Sequence, residues 1–547
     1  MHAKPSFKEC EGYIETTLSG KNIMTTPQLN KGTAFTSEEL ETLGLLGKVP
    51  ARIETLEEQV KRARFQLNEY SDDLQKHIYL NNLHDKNQVL FYKLVSEHLV
   101  DFLPLIYTPH VATVVQEFSH EFRQARGLFI SYEHRDQIEK ILDNRTNPEI
   151  DLIVVTDGEG VLGIGDQGVG SINIPIAKLM VYTLCAGISP LKTLPIYLDV
   201  GTNNKKLLDD PLYLGSRHSR ISKAEYDNFI EKFIKAIQKK FPKAFLHFED
   251  FGRNNARRIL DSYQDKICCF NDDIQGTGAA ALAAILSALK KTKSSLEDQR
   301  ILIFGAGTAG TGIADEIYRV MERHHLSGES AREKFWLVDR FGLITDKTTD
   351  LTDAQKPYAR KNSPELSNLV EIIDHVKPTI LIGCSAQHGA FNEHVVTTMA
   401  KHAEYPIIFP LSNPTEKSEA TPADLLRWTN GRALIATGSP FKPVNYSGKT
   451  YIISQCNNSL VYPGIGLGVI ASRPKLFTDD MLWAACVALS ELSGDALLPT
   501  LDHARESALK IATAIAKVAG MKGDVESHIK KMMWEPKYVP LVRHGSA

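Results

Sequence analysis

From about Thr36 to Pro104, apolar positions recur at helical spacing between charged ones. Thr36 with Glu39 three residues later reads as a capping box, Leu40 and Leu43 follow on one face, and Gly44 and Gly47 end that short helix. Two further amphipathic helices are predicted over Leu56–Leu67 and Val89–Phe102, with charged outer faces that suit a helical cap on a core or an oligomer contact. At Asp151 the texture changes. Short β-branched runs now alternate with helical segments, as buried parallel strands joined by crossover helices do. The clearest strands are Asp151–Thr156, Leu194–Val200, Ala244–Phe248 and Ile267–Phe270. Each runs out into acidic or glycine-bearing sequence: Asp157-Gly158, Asp199, Glu249-Asp250 and Asp272-Asp273. Ligands of open parallel sheets sit beyond the carboxyl ends of strands, so acids gathered there point to a site.

A second strand series follows an exposed, lysine-rich connection (Lys290, Lys291, Lys293, Ser294, Ser295). It comprises Arg300–Phe304, Phe335–Val338, Thr379–Ile382, Ile407–Pro410 and Ala433–Ala436, and beyond Ser472 the pattern returns to helices. The expected fold class is α/β, with two parallel-sheet domains, one of them Rossmann-type, and helical N- and C-terminal extensions. The boundaries read as 1–145 (helical), 146–277 (first sheet, with substrate and metal residues), 278–472 (dinucleotide-binding) and 473–547 (helical).

Composition narrows the functional classes. Lys plus Arg (63) nearly balances Asp plus Glu (66), which gives no reason to expect nucleic acid or an anionic membrane as a partner. The stretch around Gly278–Leu289, without a charge or a large polar side chain, is shorter than the roughly 20 residues that span a bilayer. Lys4, Lys8, Glu9 and Glu11 break up any secretory pattern at the N-terminus. The seven cysteines are scattered without a CxxC spacing, so the expectation is neither zinc nor disulfides but a reducing cytoplasm.

The chemistry begins at Arg300–Gly310, a strand that enters Gly305-Ala306-Gly307-Thr308-Ala309-Gly310 and continues into a helix over Ile313–Val320. Gly305 serves the tight turn, Gly307 lets backbone approach a pyrophosphate, and Gly310 lets helix and strand pack closely. A lone glycine motif is also compatible with a structural turn, but strand and helix here supply the dinucleotide context. The next strand ends at Asp339, whose carboxylate can accept ribose hydroxyls and would repel a 2′-phosphate. NAD is therefore the expected cofactor, although Arg340 beside it could meet a phosphate and the Arg323–Lys334 connection makes the spacing long.

Four carboxylates, Glu249, Asp250, Asp272 and Asp273, fall near two strand ends. Like charges so close suppress one another's ionisation unless a cation joins them, and oxygen donors without histidine suit Mg²⁺ or Mn²⁺. The other reading is salt-bridged or helix-capping acids, with Asp272 or Asp273 capping the helix near Thr277.

Taken together these motifs resemble the malic enzyme family over nearly the whole chain. The resemblance is carried by Leu29–Phe35, Ile106-Tyr107-Thr108-Pro109, Arg126–Ser131, Val155–Glu159, Asp199–Asn203, Leu411–Thr415, Thr437–Phe441 and Cys456-Asn457-Asn458. The long N-terminus and Val338–Gly342 are most similar to the bacterial NAD-dependent branch. The resemblance implies oxidative decarboxylation of malate to pyruvate with reduction of NAD, in a homo-oligomer of two or four chains. It implies Glu249, Asp250 and Asp273 as metal ligands and Asp272 as the acid supporting the proton-transfer residue Lys178. Tyr107 is implied as proton donor, and Asn413 and Asn457 as groups holding malate, with Asn413 close to the nicotinamide. From pattern alone Lys178, in the apolar run Ile172–Leu184, reads as a snorkelling lysine and Tyr107 as a packing tyrosine. Desolvation of such a lysine would lower its pKa toward the range of a general base.

The match has gaps. Many family members carry arginine after Asp-Gly-Glu, where this chain has Gly160, so either another cation holds the substrate carboxylate, with Arg126 a candidate, or malate binds more weakly. Ala177 and Asn173 also replace common glycines. Malolactic enzymes, a neighbouring branch that releases lactate with bound NAD, share Gly160, but Gln167 and Cys456 follow the malic pattern. A non-catalytic dinucleotide sensor is the reading from another class, opposed by the intact Lys178, Tyr107 and acid cluster.

Overall fold

A computed structural model describes residues 7–108, 110–147, 149–323 and 328–544. Pro109 of the Tyr107 motif and 324–327 of the long connection lie outside the described residues. The chain forms two compact units: Met1–Gly158 with Asp166–Leu246 and Lys531–Ala547, and Glu159–Gly165 with His247–Lys530. The N-terminal helices thus pack in the same unit as the first strands, and the acid cluster belongs to the unit of the glycine turn.

In the first unit, Leu128–Ser131, Thr193–Asp199 and Leu152–Thr156 lie side by side in parallel, with Leu128 opposite Ile196 and Leu152 opposite Thr193. The Leu152–Thr156 strand is buried on both faces, which is why it reads as a continuous apolar run rather than an alternating one. Leu128–Ser131 is an edge strand of four residues, mostly half-buried, too short and too polar in its flanks to stand out in sequence. Helix Asn173–Ala186 is buried along nearly its whole length and ends where Gly187 takes a left-handed φ of 61°.

The capping box at Thr36 and Glu39 forms as expected and starts the helix Ser37–Thr42. Glu39 also accepts the Lys31 ammonium at 2.5 Å and the Leu541 N–H at 2.8 Å. The Leu56–Asn68 helix matches its apolar stripe, whereas the Val89–Phe102 stretch divides at His98 into Gln88–Glu97 and Leu99–Ile106. A small sheet was not expected in the helical N-terminal segment. Phe7–Cys10 pairs antiparallel with Tyr13–Thr16, and Leu541–Arg543 adds to it in parallel. Strands this short, with a partner at the far end of the chain, leave no local period to read.

The acids at two of the predicted strand ends are used by the protein itself. Arg220, whose side chain is only 7% exposed, donates to the Asp157 carbonyl at 2.9 Å and to Asp166 Oδ2 at 2.9 Å, and Tyr226 Oη donates to Asp157 Oδ2 at 2.6 Å. Asp199 accepts the Gly201 and Ser216 N–H groups. Burial would raise the Asp166 carboxyl, but the Arg220 bonds and charge, with the Asn203 N–H, hold it below its ordinary value. A depressed carboxyl contributes stability that is present above its unfolded pKa of about 4 and lost as pH falls through the folded value. Arg220→Met should therefore cost about 3–5 kcal/mol by stranding buried carboxylates. Asp166→Asn should flatten the acid limb of the stability profile; thermal melts between neutral and acid pH check both. A wild-type melting temperature for Arg220→Met contradicts the network's role.

In the second unit the sheet order is Gly342–Leu343, Phe335–Asp339, Ile301–Phe304, Ile380–Gly383, Ile407–Pro410, Leu434–Thr437 and Ser454–Gln455. All pairs are parallel except the Gly342–Leu343 edge hairpin. The five predicted strands appear within a residue of their expected bounds. Ile301–Phe304 has the second strand on one side and the third on the other, which makes its carboxyl end the topological switch point where open α/β sheets bind ligands. Helices Tyr462–Ser472, Asp479–Glu491 and Ala504–Val518 complete this unit.

Candidate metal and dinucleotide site

Strand Phe245–Phe248 runs straight into Glu249-Asp250, and Cys269–Asn271 into Asp272-Asp273. Asp250 takes a φ of 54°, uncommon for a residue with a side chain, and its N–H donates to Asp273 Oδ2 at 2.8 Å. Strained backbone of this kind persists where the surroundings over-determine it, commonly at ligand sites. After Asn271 the chain winds a wide turn, Asp272–Gly276, before the helix Thr277–Thr292. Asn271 Oδ1 caps that turn by accepting the Ile274 N–H at 3.0 Å, so neither Asp272 nor Asp273 is spent as the cap. Glu249, Asp250 and Asp273 are each at most 5% exposed, and one oxygen from each lies within 4.8 Å of the others. Three carboxylates buried this closely need positive charge among them, and an all-oxygen donor set fits a hard divalent cation.

Asn458, which the sequence reading passed over in favour of its neighbour, donates to the Asp272 carbonyl at 3.2 Å and to Asp272 Oδ2 at 3.1 Å. Asn457 Oδ1 accepts the Ser459 N–H at 2.9 Å, a capping bond that fixes its side chain. His247, also missed, is fully buried and lies 2.8 Å through Nε2 from Glu249 Oε2. The signal for it was the alternation His247-Phe248-Glu249, which puts histidine and glutamate on one side of the extended chain.

Gly160 has a local cause. Its N–H donates to the Asp250 carbonyl at 2.9 Å, and a Cβ there would lie 2.6 Å from the Phe251 carbonyl oxygen. The segment that elsewhere carries arginine is folded too tightly onto the Asp250–Phe251 backbone to hold any side chain without a shift. Arg126, the candidate replacement, has its guanidinium on Asp85 at 2.5 and 2.7 Å and also donates to Asn81.

At the glycine turn, a Cβ on Gly305 (φ 108°) would lie 2.5 Å from the Cys384 carbonyl of the neighbouring strand's loop, and one on Gly310 would lie 2.1 Å from the Gly305 oxygen. Gly307 meets nothing within 4 Å, the open side a phosphate needs. The helix Thr308–Arg323 that follows packs closely on the acid-bearing turn: a Cβ on Gly312 would be 2.9 Å from the Ile274 oxygen. A cavity of about 340 Å³ opens at the start of this helix, lined by Thr308, Thr311 and the arginines Arg253, Arg257 and Arg258, with Asp261 and Asp353 also on its wall. Helix N–H groups and guanidinium groups together suit a diphosphate. Asp339 Oδ2 accepts Gln355 Nε2 at 2.7 Å, and Gln355 also donates to the Ala306 carbonyl at 2.8 Å, tying the acid to the turn. Arg340 stacks on exposed Phe341, 4.6 Å from its ring centroid. Farther along, Asn413 Oδ1 accepts Ser439 Oγ at 2.7 Å. Its neighbour Ser412 is fixed by the buried Glu419, which also accepts the Ser385 N–H at 2.9 Å.

In the other unit, Lys178 is 3% exposed and does not snorkel to solvent as its apolar run alone suggests. Its Nζ lies 5.8 Å from the centroid of the buried Tyr107 ring, so the two expected proton-transfer groups are neighbours.

Two family models match: malic enzyme, N-terminal domain, over residues 84–264, and malic enzyme, NAD binding domain, over residues 274–520. The chain is 48% identical to the NAD-dependent malic enzyme of Aeromonas hydrophila over 541 residues, covering 95% of this chain and 96% of that protein. It is 47% identical to NAD-dependent malic enzyme 3 of Bacillus subtilis over 556 residues, 97% and 98% of the two chains. Among solved structures it resembles malic enzyme of Entamoeba histolytica (TM-score 0.56, 21% identity, 90% and 91% covered). It also resembles NAD-dependent malic enzyme of Thermotoga maritima (TM-score 0.51, 22% identity, 76% and 92% covered). At these identities the structures speak to the fold.

Proposed function

The chain belongs to the malic enzyme family, and from that membership we propose that it oxidises (S)-malate with NAD and a divalent metal ion, yielding pyruvate and carbon dioxide. The observation that carries the proposal is the buried Glu249, Asp250 and Asp273 trio in the same compact unit as the Gly305–Gly310 turn. When bound, NAD accepts the hydride and Mg²⁺ or Mn²⁺ supplies Lewis acidity for decarboxylation. The chain's residues supply proton transfer and orientation. Glu249, Asp250 and Asp273 hold the ion. Lys178 takes the proton from the C2 hydroxyl, Asp272 is the acid that supports it, and Tyr107 delivers a proton to C3 once carbon dioxide has left. Oxygen and carbon exchange protons at different places, so two groups are required, and the pairing of Lys178 with Tyr107 supports this division of labour. Asn413 and Asn457 orient malate, and Asn413 also borders the nicotinamide. Gly305, Gly307 and Gly310 admit the diphosphate, and Asp339 receives the adenosine ribose.

Asp339, held in place by Gln355, supports NAD over NADP because a 2′-phosphate would meet its carboxylate. NADH absorbance should rise only when malate, NAD and Mn²⁺ are all present, cease on chelation, and be much slower with NADP. NADPH formed as fast as NADH would overturn the cofactor assignment. A homo-oligomer in a reducing cytoplasm belongs to the same proposal. Exposed Phe65 and Val100 on the N-terminal helices support a subunit contact, which light scattering measures.

A further inference from the structure

The imidazole of His247 has no part in the chemistry above, yet it is fully buried against the metal cluster. Its Nε2 is 2.8 Å from Glu249 Oε2, and ligand atoms of His247, Glu249 and Asp272 all lie within 4.8 Å of one another. The ring is clamped edge-on between Phe270, with centroids 5.4 Å apart, and Tyr462, 5.7 Å away. Two aromatic neighbours at near-right angles leave it little rotational freedom. An ionised carboxylate only accepts, so Nε2 carries the hydrogen in this contact, and the imidazole donates to one particular oxygen of a ligand carboxylate.

We propose that His247 is a positioning residue for the metal: its Nε2–H occupies Glu249 Oε2 and so presents Glu249 Oε1 to the ion. A glutamate has three side-chain torsions, and an ion binding to an unrestrained one must order it at the cost of rotamer entropy. A hydrogen bond to one carboxylate oxygen fixes both the plane of the carboxylate and the choice of ligating atom. Extended-chain geometry makes the arrangement possible, because residues two apart on a strand face the same way, and Phe248 between them points to the opposite side, into the core. The two acids nearest His247 then have separate tethers: Glu249 is held by the imidazole and Asp272 by Asn458. Loss of a group that orients a metal ligand costs metal affinity roughly 10- to 100-fold.

This inference rests on the assignment of Glu249 as a ligand, and the test separates the two. Two amide replacements mimic different nitrogens of the ring. His247→Gln carries its N–H to the position of Nε2 and keeps the bond to Glu249. His247→Asn reaches only as far as Nδ1 and withdraws it. Both are polar, close in size and retain the strand, so a merely structural role moves them together. The readout is direct binding of Mn²⁺, followed by the electron paramagnetic resonance signal of the free ion. Melting temperature and NAD affinity are measured on the same samples to establish the fold. The expected result is a Mn²⁺ dissociation constant about 10- to 100-fold higher for His247→Asn and near wild type for His247→Gln. Equal affinities for the two variants, whether both intact or both weakened, overturn the inference. If one variant does not fold, the other decides alone: Gln must bind like wild type, and Asn must not. Glu249→Gln runs alongside. If it binds Mn²⁺ as wild type does, the ligand assignment itself falls; if it is weakened while the two histidine variants match, only the role of His247 falls.

Discussion

Replacing Lys178 by alanine lowers kcat by about 10²- to 10⁴-fold, the usual worth of a positioned proton-transfer group. Alanine is the best helix former, and position 178 is interior to the helix Asn173–Ala186, so the backbone is retained. The dinucleotide turn lies in the other compact unit, so NAD affinity, read by quenching of intrinsic fluorescence, stays at the wild-type value. This pairing of outcomes separates chemistry from folding. An alanine variant that turns over like wild type removes Lys178 from the reaction, whatever its burial.

Glu249→Gln keeps the shape of the side chain and an acceptor for His247 but removes one negative charge from the cluster. A hard divalent cation depends on charged oxygen, so the Mn²⁺ needed for half-maximal activity rises on the order of 100-fold or more, beyond the effect of losing an orienting neighbour. The unliganded protein should not be destabilised by the change, because a crowded buried carboxylate is lost. A metal titration that overlays wild type contradicts the ligand role.

The fold was largely legible because its strands are buried on both faces. Ile301–Phe304 and Ile407–Pro410 are continuous apolar runs bounded by turn residues, and such runs declare themselves locally. The sheet of Phe7–Cys10, Tyr13–Thr16 and Leu541–Arg543 did not, because its pairing joins opposite ends of the chain. The cluster acids and the glycine turn stood out as rare residue types at strand ends. Their supports did not. His247, Gln355, Asn458 and Arg220 are ordinary polar residues whose importance comes from what the fold sets beside them. Asp157 shows the converse: in sequence it matches the other strand-end acids, but Arg220 and Tyr226 occupy it. Gly160 was legible as a departure but not as a necessity, since its cause is the Phe251 carbonyl brought against it by folding.

The most direct test of the account is the ratio of products formed from malate by the purified protein with NAD and Mn²⁺. Pyruvate and NADH should accumulate one for one as malate disappears. Lactate in place of pyruvate, with no net NADH, would contradict it.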